Sequence, residues 1–173
     1  MITCSARTAA VEFKSKEEGK VKLKLHQSSQ IRKIAVGAFF KSMKKDVVTF
    51  VGYSGSEYED KSAMLRKAGR ILDEFDPSKT IVNIGATPEG IGAVYELAKR
   101  RGFVTTGIIS TQAKKYNVSL SLCVDYVFYV EDATWGGLIE GSDLLSPTST
   151  AMVENSDIMI GIGGDEIGRD ELL

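Results

Sequence analysis

Thr80-Ile-Val-Asn-Ile-Gly-Ala-Thr-Pro-Glu-Gly-Ile-Gly-Ala-Val-Tyr-Glu-Leu-Ala-Lys-Arg-Arg-Gly102 decides how this chain is read. Ile81, Val82 and Ile84 form a short apolar run bounded by Gly85, the pattern of a strand covered on both faces. Gly85, Gly90 and Gly92 let the backbone bend tightly and approach a ligand, and Pro88 stiffens the bend. Ala93, Val94, Leu97 and Ala98 then recur at helical spacing. A glycine turn that feeds a helix N-terminus presents backbone N–H groups and the positive end of a dipole, which suits a phosphate. Ala86 and Thr87 lie inside that turn and join Gly85, Gly90 and Gly92 as candidate nucleotide contacts. The competing reading is that these glycines only fit helix to strand.

Outward from this unit the pattern repeats. Upstream, Val47–Val51 reads as a strand running into Gly52-Tyr-Ser-Gly-Ser56, then a helix capped by Asp60 or Ser62 and carrying Met64, Leu65, Ala68, Ile71, Leu72 and Phe75. Downstream, Phe103–Ile109 and Leu122–Val130 read as strands, the second rich in β-branched and aromatic residues. Ser149–Asn155 is a short helix and Asp157–Ile162 a further strand, which opens into the glycine-rich stretch Gly161–Gly168 and a helix starting near Asp165. Strands alternating with helical segments predict an α/β, Rossmann-like three-layer sandwich with a mostly parallel sheet and right-handed crossovers. In such sheets ligands bind beyond the strand carboxyl ends, near the reversal of strand order. The turns at Gly52–Ser56, Gly85–Gly92 and Gly161–Gly168 all follow strand ends and are predicted to converge on one edge.

The first 45 residues read differently. Val11–Leu25 alternates like a β-hairpin turning near Glu18-Gly19, and Gln27–Lys45 is ambiguous between loop and helix. The expected organisation is an N-terminal appendage over residues 1–45 and a nucleotide-binding domain over residues 46–173. Residues 1–46 hold 11 basic against 4 acidic side chains, and the rest 11 against 19. Because Lys20, Lys22 and Lys24 alternate with Val21, Leu23 and Leu25, the bias reads as the wet face of a strand rather than a nucleic-acid arm.

Composition near globular averages excludes a disordered, coiled-coil or collagen-like chain. No apolar stretch approaches a membrane span, and Met1–Arg7 lacks the apolar core of a secretory signal. Cys4 and Cys123 have no metal-type spacing, and Cys123 reads as a small core residue in a reducing, cytoplasmic setting. The single histidine, His26, reads as a surface residue; no metal and no resident cofactor is expected.

Two further stretches carry a family resemblance. Ser54-Gly55-Ser56 resembles the Cys-Gly-Ser-Ser-like turn of the LOG family, a branch of the SLOG superfamily of Rossmann-like nucleotide binders. Ser156-Asp-Ile-Met-Ile-Gly-Ile-Gly-Gly-Asp-Glu-Ile-Gly-Arg-Asp-Glu-Leu172 is similar, without a gap, to the run Ala-Asp-Ala-Phe-Ile-Ala-Leu-Pro-Gly-Gly-x-Gly-Thr-x-x-Glu-Leu. Asp157, Gly164, Glu171 and Met152 fall on family positions; Gly163, Asp165, Ile167 and Gly168 replace a proline, two glycines and a threonine, and Thr148 stands where the family has an arginine.

The resemblance implies a nucleotide site at Gly55, Ser56, Gly163, Gly164 and Gly168 with the Gly85–Gly92 turn, a homodimer, and cleavage of the N-glycosidic bond of a nucleoside 5′-monophosphate. Glu171 is then the catalytic carboxylate, orienting water or stabilising an oxocarbenium-like centre. The altered motif leaves open the alternative of a non-catalytic module for a nucleotide or nucleotide-derived cofactor, a ligand sensor or molybdenum cofactor carrier. Arg66, Arg70, Arg100 and Arg101 are the arginines that could stand in for the missing one. The family also continues past the position of Leu173, so the expectation is either that the chain is incomplete there or that residues 1–45 supply what is missing.

Overall fold

The computed structural model describes residues 9–10 and 36–173. The hairpin read at Val11–Leu25, and His26, lie outside the described residues. Among the described residues, six strands form one sheet: β1 (Ala9–Ala10), β2 (Asp46–Gly52), β3 (Thr80–Ile84), β4 (Val104–Ser110), β5 (Tyr126–Val130) and β6 (Ile158–Ile162). Their order is β1-β5-β4-β3-β2-β6 and every pairing is parallel. Between them run α1 (residues 36–43), α2 (Lys61–Leu72), a short 3-10 turn (Gly90–Ala93) leading into α3 (Val94–Arg100), α4 (Gln112–Lys115), α5 (Pro147–Glu154) and α6 (Glu166–Leu172). This is the Rossmann-like α/β architecture that the alternation predicts. No helix among the described residues is long and apolar enough to cross a membrane.

Successive strand residues point to opposite faces, so a sheet covered on both needs unbroken apolar runs. Val48, Val82, Ile109 and Val127 meet Met64, Ala68, Leu72, Val94 and Tyr95 of α2 and α3 on one face. Their neighbours Val47, Ile81, Ile108 and Phe128 meet Val36 and Phe40 of α1 and Ala151 and Met152 of α5 on the other. Phe39 and Phe40 lie with ring centroids 5.0 and 5.6 Å from Phe128. Residues 36–43, ambiguous in sequence, are therefore a helix built into the domain, and Ala9–Ala10 adds a parallel strand beside β5.

Local signals set the element ends. The Asp60 side chain accepts a hydrogen bond from the Ala63 N–H at 2.8 Å and caps α2, so of the two candidate caps it is the one used. Ser146 caps α5, with Pro147 in its first turn. The link from β4 to β5 departs from the regular pattern: only the four residues of α4 are helical and the rest is loop. Cys123, read as a small core residue, is half-buried and disulfide-bonded.

Candidate functional site

Counting from β2, the sheet grows in one direction through β3, β4 and β5, then restarts on the other side of β2 with β6. The chain leaves β2 for α2 on one face and β6 for α6, which contacts α5 on the other. The ligand crevice expected of such a sheet therefore falls at the carboxyl ends of β3, β2 and β6. The three glycine turns follow these three adjacent strands and do converge.

They are locked to one another. The Ile91 N–H donates to the Tyr53 carbonyl at 2.7 Å. A Cβ on Gly90, whose φ is +58°, would lie 2.1 Å from that same oxygen, and one on Gly92 would lie 1.9 Å from the Thr87 carbonyl. No side chain fits at either position. Ala86 also sits at positive φ, +60°. Its N–H donates to the hydroxyl of the fully buried Tyr95, which donates in turn to the Thr106 carbonyl at 2.7 Å. The Glu89 and Gly92 N–H groups bond within the turn, to Thr87 Oγ1 and the Glu89 carbonyl. Much of the hydrogen-bonding capacity expected to cradle a phosphate is thus engaged in holding the turn.

Burial sorts the sequence candidates. Gly55, Ser56 and Gly163 are exposed, Gly85, Thr87 and Gly164 are half-buried, and Ala86, Gly90, Gly92, Gly168 and Glu171 are buried. Two aromatic residues not foreseen in sequence join the turns that follow β2 and β6. Tyr58 donates its hydroxyl hydrogen to the Ile162 carbonyl and accepts from the Tyr53 N–H at 3.2 Å. The rings of Tyr53 and Tyr58 meet edge-on, centroids 5.2 Å apart, beside Gly163. Burial raises the Tyr58 pKa, so the phenol stays neutral and keeps its donor.

Glu171 lies on the inner face of α6. Ser149 Oγ donates to its Oε1 at 2.6 Å and accepts from the Gly137 N–H at 2.7 Å. Burial pushes the Glu171 carboxyl up to about 7; the Ser149 hydrogen bond opposes this, while Asp165 and Asp170 add to it. Asp165 caps α6 by accepting from the Gly168 N–H at 3.2 Å, so a carboxylate already sits where an anion would approach.

Thr148, at the family's arginine position, is buried, and its N–H donates at 2.9 Å to Asp132 Oδ2. Burial alone raises the Asp132 pKa, but hydrogen bonds from Thr134 and Thr148 outweigh it and hold the carboxyl below its ordinary value. The candidate arginines are engaged elsewhere: Arg66 lies 3.9 Å from Asp60, Arg100 pairs with Glu96, and Arg101 pairs with Asp73 at 2.7 Å. Arg70 is exposed in the last turn of α2. Arg169 turns to Asp170 at 2.9 Å.

At the opposite, amino-terminal edge a cavity of about 670 Å³ opens beside α1. Its lining carries Lys41, Lys44 and Lys45 against Asp46, Glu154 and Asp157, so it has no charge bias toward an anion.

No protein-family model matches the chain, and no curated protein matches its sequence. Several solved structures are similar to it, two of them as follows. The X-ray structure of TM1055, a structural genomics target, has 19% identity over 73% of this chain and 66% of that one, with a TM-score of 0.49. The Moco carrier protein from Chlamydomonas reinhardtii has 18% identity over 74% of this chain and 68% of that one, with a TM-score of 0.49. The chain spans about two thirds of the length of each, and at this identity the likeness concerns the fold alone.

Proposed function

We propose that this chain is a LOG-type binding module for a nucleotide or a nucleotide-derived small molecule, held at the carboxyl ends of β3, β2 and β6. The observation that carries the reading is the convergence of three glycine turns on that crevice, which leaves Gly55, Ser56, Thr87, Gly163 and Gly164 within reach of solvent. Binding without hydrolysis is favoured by the carboxylate itself. Glu171 is buried and bonded to Ser149, and Arg66, Arg100, Arg101 and Arg169 pair with other carboxylates, whereas glycosidic cleavage needs a carboxyl group at the scissile bond.

One observation favours the hydrolase instead. A carboxyl pKa pushed up to about 7 suits a group that gives and takes a proton near neutral pH.

The test is to incubate the protein with AMP, GMP, CMP and UMP, following bound nucleotide by equilibrium dialysis and free base by chromatography. Saturable retention with every nucleotide recovered intact is the expected result. Base release that scales with protein concentration replaces the module with a phosphoribohydrolase. Neither retention nor release overturns both readings.

A further inference from the structure

The carboxyl edge carries another feature that the glycine turns do not use. Tyr116 follows α4, beyond β4, and Trp135 lies in the loop after β5. Both are exposed, at 60% and 47%, yet their rings stack with centroids 5.9 Å apart and planes 29° from parallel. Lys115 Nζ lies 5.2 Å from the Tyr116 ring centroid, and Lys114 Nζ lies 4.1 Å from that of Tyr129 on the same edge. Two large aromatic side chains and two cations thus share one solvent-facing surface.

The backbone beneath is braced. The Thr111 N–H donates to the Val130 carbonyl at 2.8 Å, joining the two loops where they leave the sheet. Gln112 Nε2 donates to the Asp132 carbonyl at 2.8 Å, and Asp132 Oδ1 accepts from the Thr134 N–H at 2.8 Å, directly before Trp135. Beyond it, the Gly137 N–H is fixed on Ser149 Oγ. An exposed pair on anchored loops needs little ordering to receive a planar ligand.

The surface is also close to the crevice. β4 and β5 lie one and two strand spacings from β3, about 5 and 10 Å along the edge. The segment after Tyr116 is tied to the Gly85–Gly92 turn by the Ser121 N–H, which donates to the Ala86 carbonyl at 2.9 Å.

We propose that Trp135 and Tyr116 form a stacking platform for the planar heteroaromatic ring of the ligand, with Lys115 beside it for its negative charge. This rests on the nucleotide-class reading above and deepens it: the ring is recognised by stacking, which tolerates any base, and the anionic end by Lys115 and the turns.

The test exploits Trp135 being the chain's only tryptophan, so its emission reports on this surface alone. The full chain is titrated with AMP and GMP, and with ribose 5-phosphate and inorganic phosphate as probes lacking a ring. The expected result is saturable quenching by AMP or GMP and none by the ringless probes. Trp135→Ala and Tyr116→Ala should each weaken nucleotide retention in dialysis by about tenfold or more. Their melting temperatures should stay at the wild-type value, because both side chains are exposed. Nucleotide retained with unchanged Trp135 emission, and retained equally by Trp135→Ala, overturns the platform and leaves the binding module standing. Quenching by ribose 5-phosphate equal to that by AMP also overturns the platform. Absence of retention in dialysis overturns the platform and the module together.

Discussion

A glutamic acid that is only 9% exposed changes what pH does to this fold. Burial in the native state penalises the charged form of Glu171, raising its pKa from the ordinary 4.5 to about 7. The native state therefore holds a proton that the unfolded chain releases, and its stability is fully present below about 4.5. It falls as pH rises through about 7, by on the order of 3 kcal/mol. Glu171→Gln keeps an acceptor for Ser149 Oγ without the charge. Denaturation at pH 5 and pH 8 should show the two proteins close together at the lower pH and the variant more stable at the higher. Equal responses to pH would refute the buried-charge account. Glu171 was legible in sequence because its motif is contiguous. Its partner Ser149, 22 residues upstream, was not, since nothing local marks one serine of a helix as a hydrogen-bond donor to another element. The same distance effect explains Gly92. Its lack of a side chain reads in sequence as access for a phosphate, whereas the Thr87 carbonyl leaves no room for a Cβ, so substituting it tests the turn before it tests binding.

Among the elements, the central strands share a polar row that an apolar reading of β3 passes over. Asn83 is fully buried and lies in register with Thr49 of β2 and Thr106 of β4. Its Nδ2 donates to Thr49 Oγ1 at 3.2 Å, and its Oδ1 accepts from Thr106 Oγ1 at 3.0 Å. Thr49 Oγ1 in turn lies 2.6 Å from Ser156 Oγ. A shift of one residue would break this row and turn every strand side chain to the wrong face, so the row helps to fix register. Asn83→Leu should cost about 2–3 kcal/mol in urea denaturation, because it leaves buried hydroxyls with fewer partners. A loss below about 0.5 kcal/mol would show that the row contributes little. The strands, the glycine turns and the α2 cap were legible because apolar runs, tight bends and caps are local signals. The polar row was not, as its members are 34 and 23 residues apart.

Across the whole molecule, protection should be uneven. β3 and β4 are bonded on both sides and buried along nearly their whole length, whereas among the described residues β6 pairs only with β2 and is buried only at Ile162. Amide hydrogen exchange should be slowest in β3 and β4 and measurably faster in β6. Equal protection of all three would mean that another surface covers β6 in solution. The sheet order explains why convergence of the turns could be inferred but not their mutual locking: topology brings the three strand ends together, while the tyrosine contacts between them depend on side chains no spacing rule describes. The β2–β6 pairing also has a consequence in time. Asp157 accepts from the Val47 N–H across 110 residues, so β6 is made long after the strand it pairs with. During synthesis β2, β3 and β4 emerge and can assemble first, with the far side of β2 bare. The ribosome must deliver Ile162 before the three turns can meet, so their meeting follows the pairing of β2, β3 and β4 and cannot guide it.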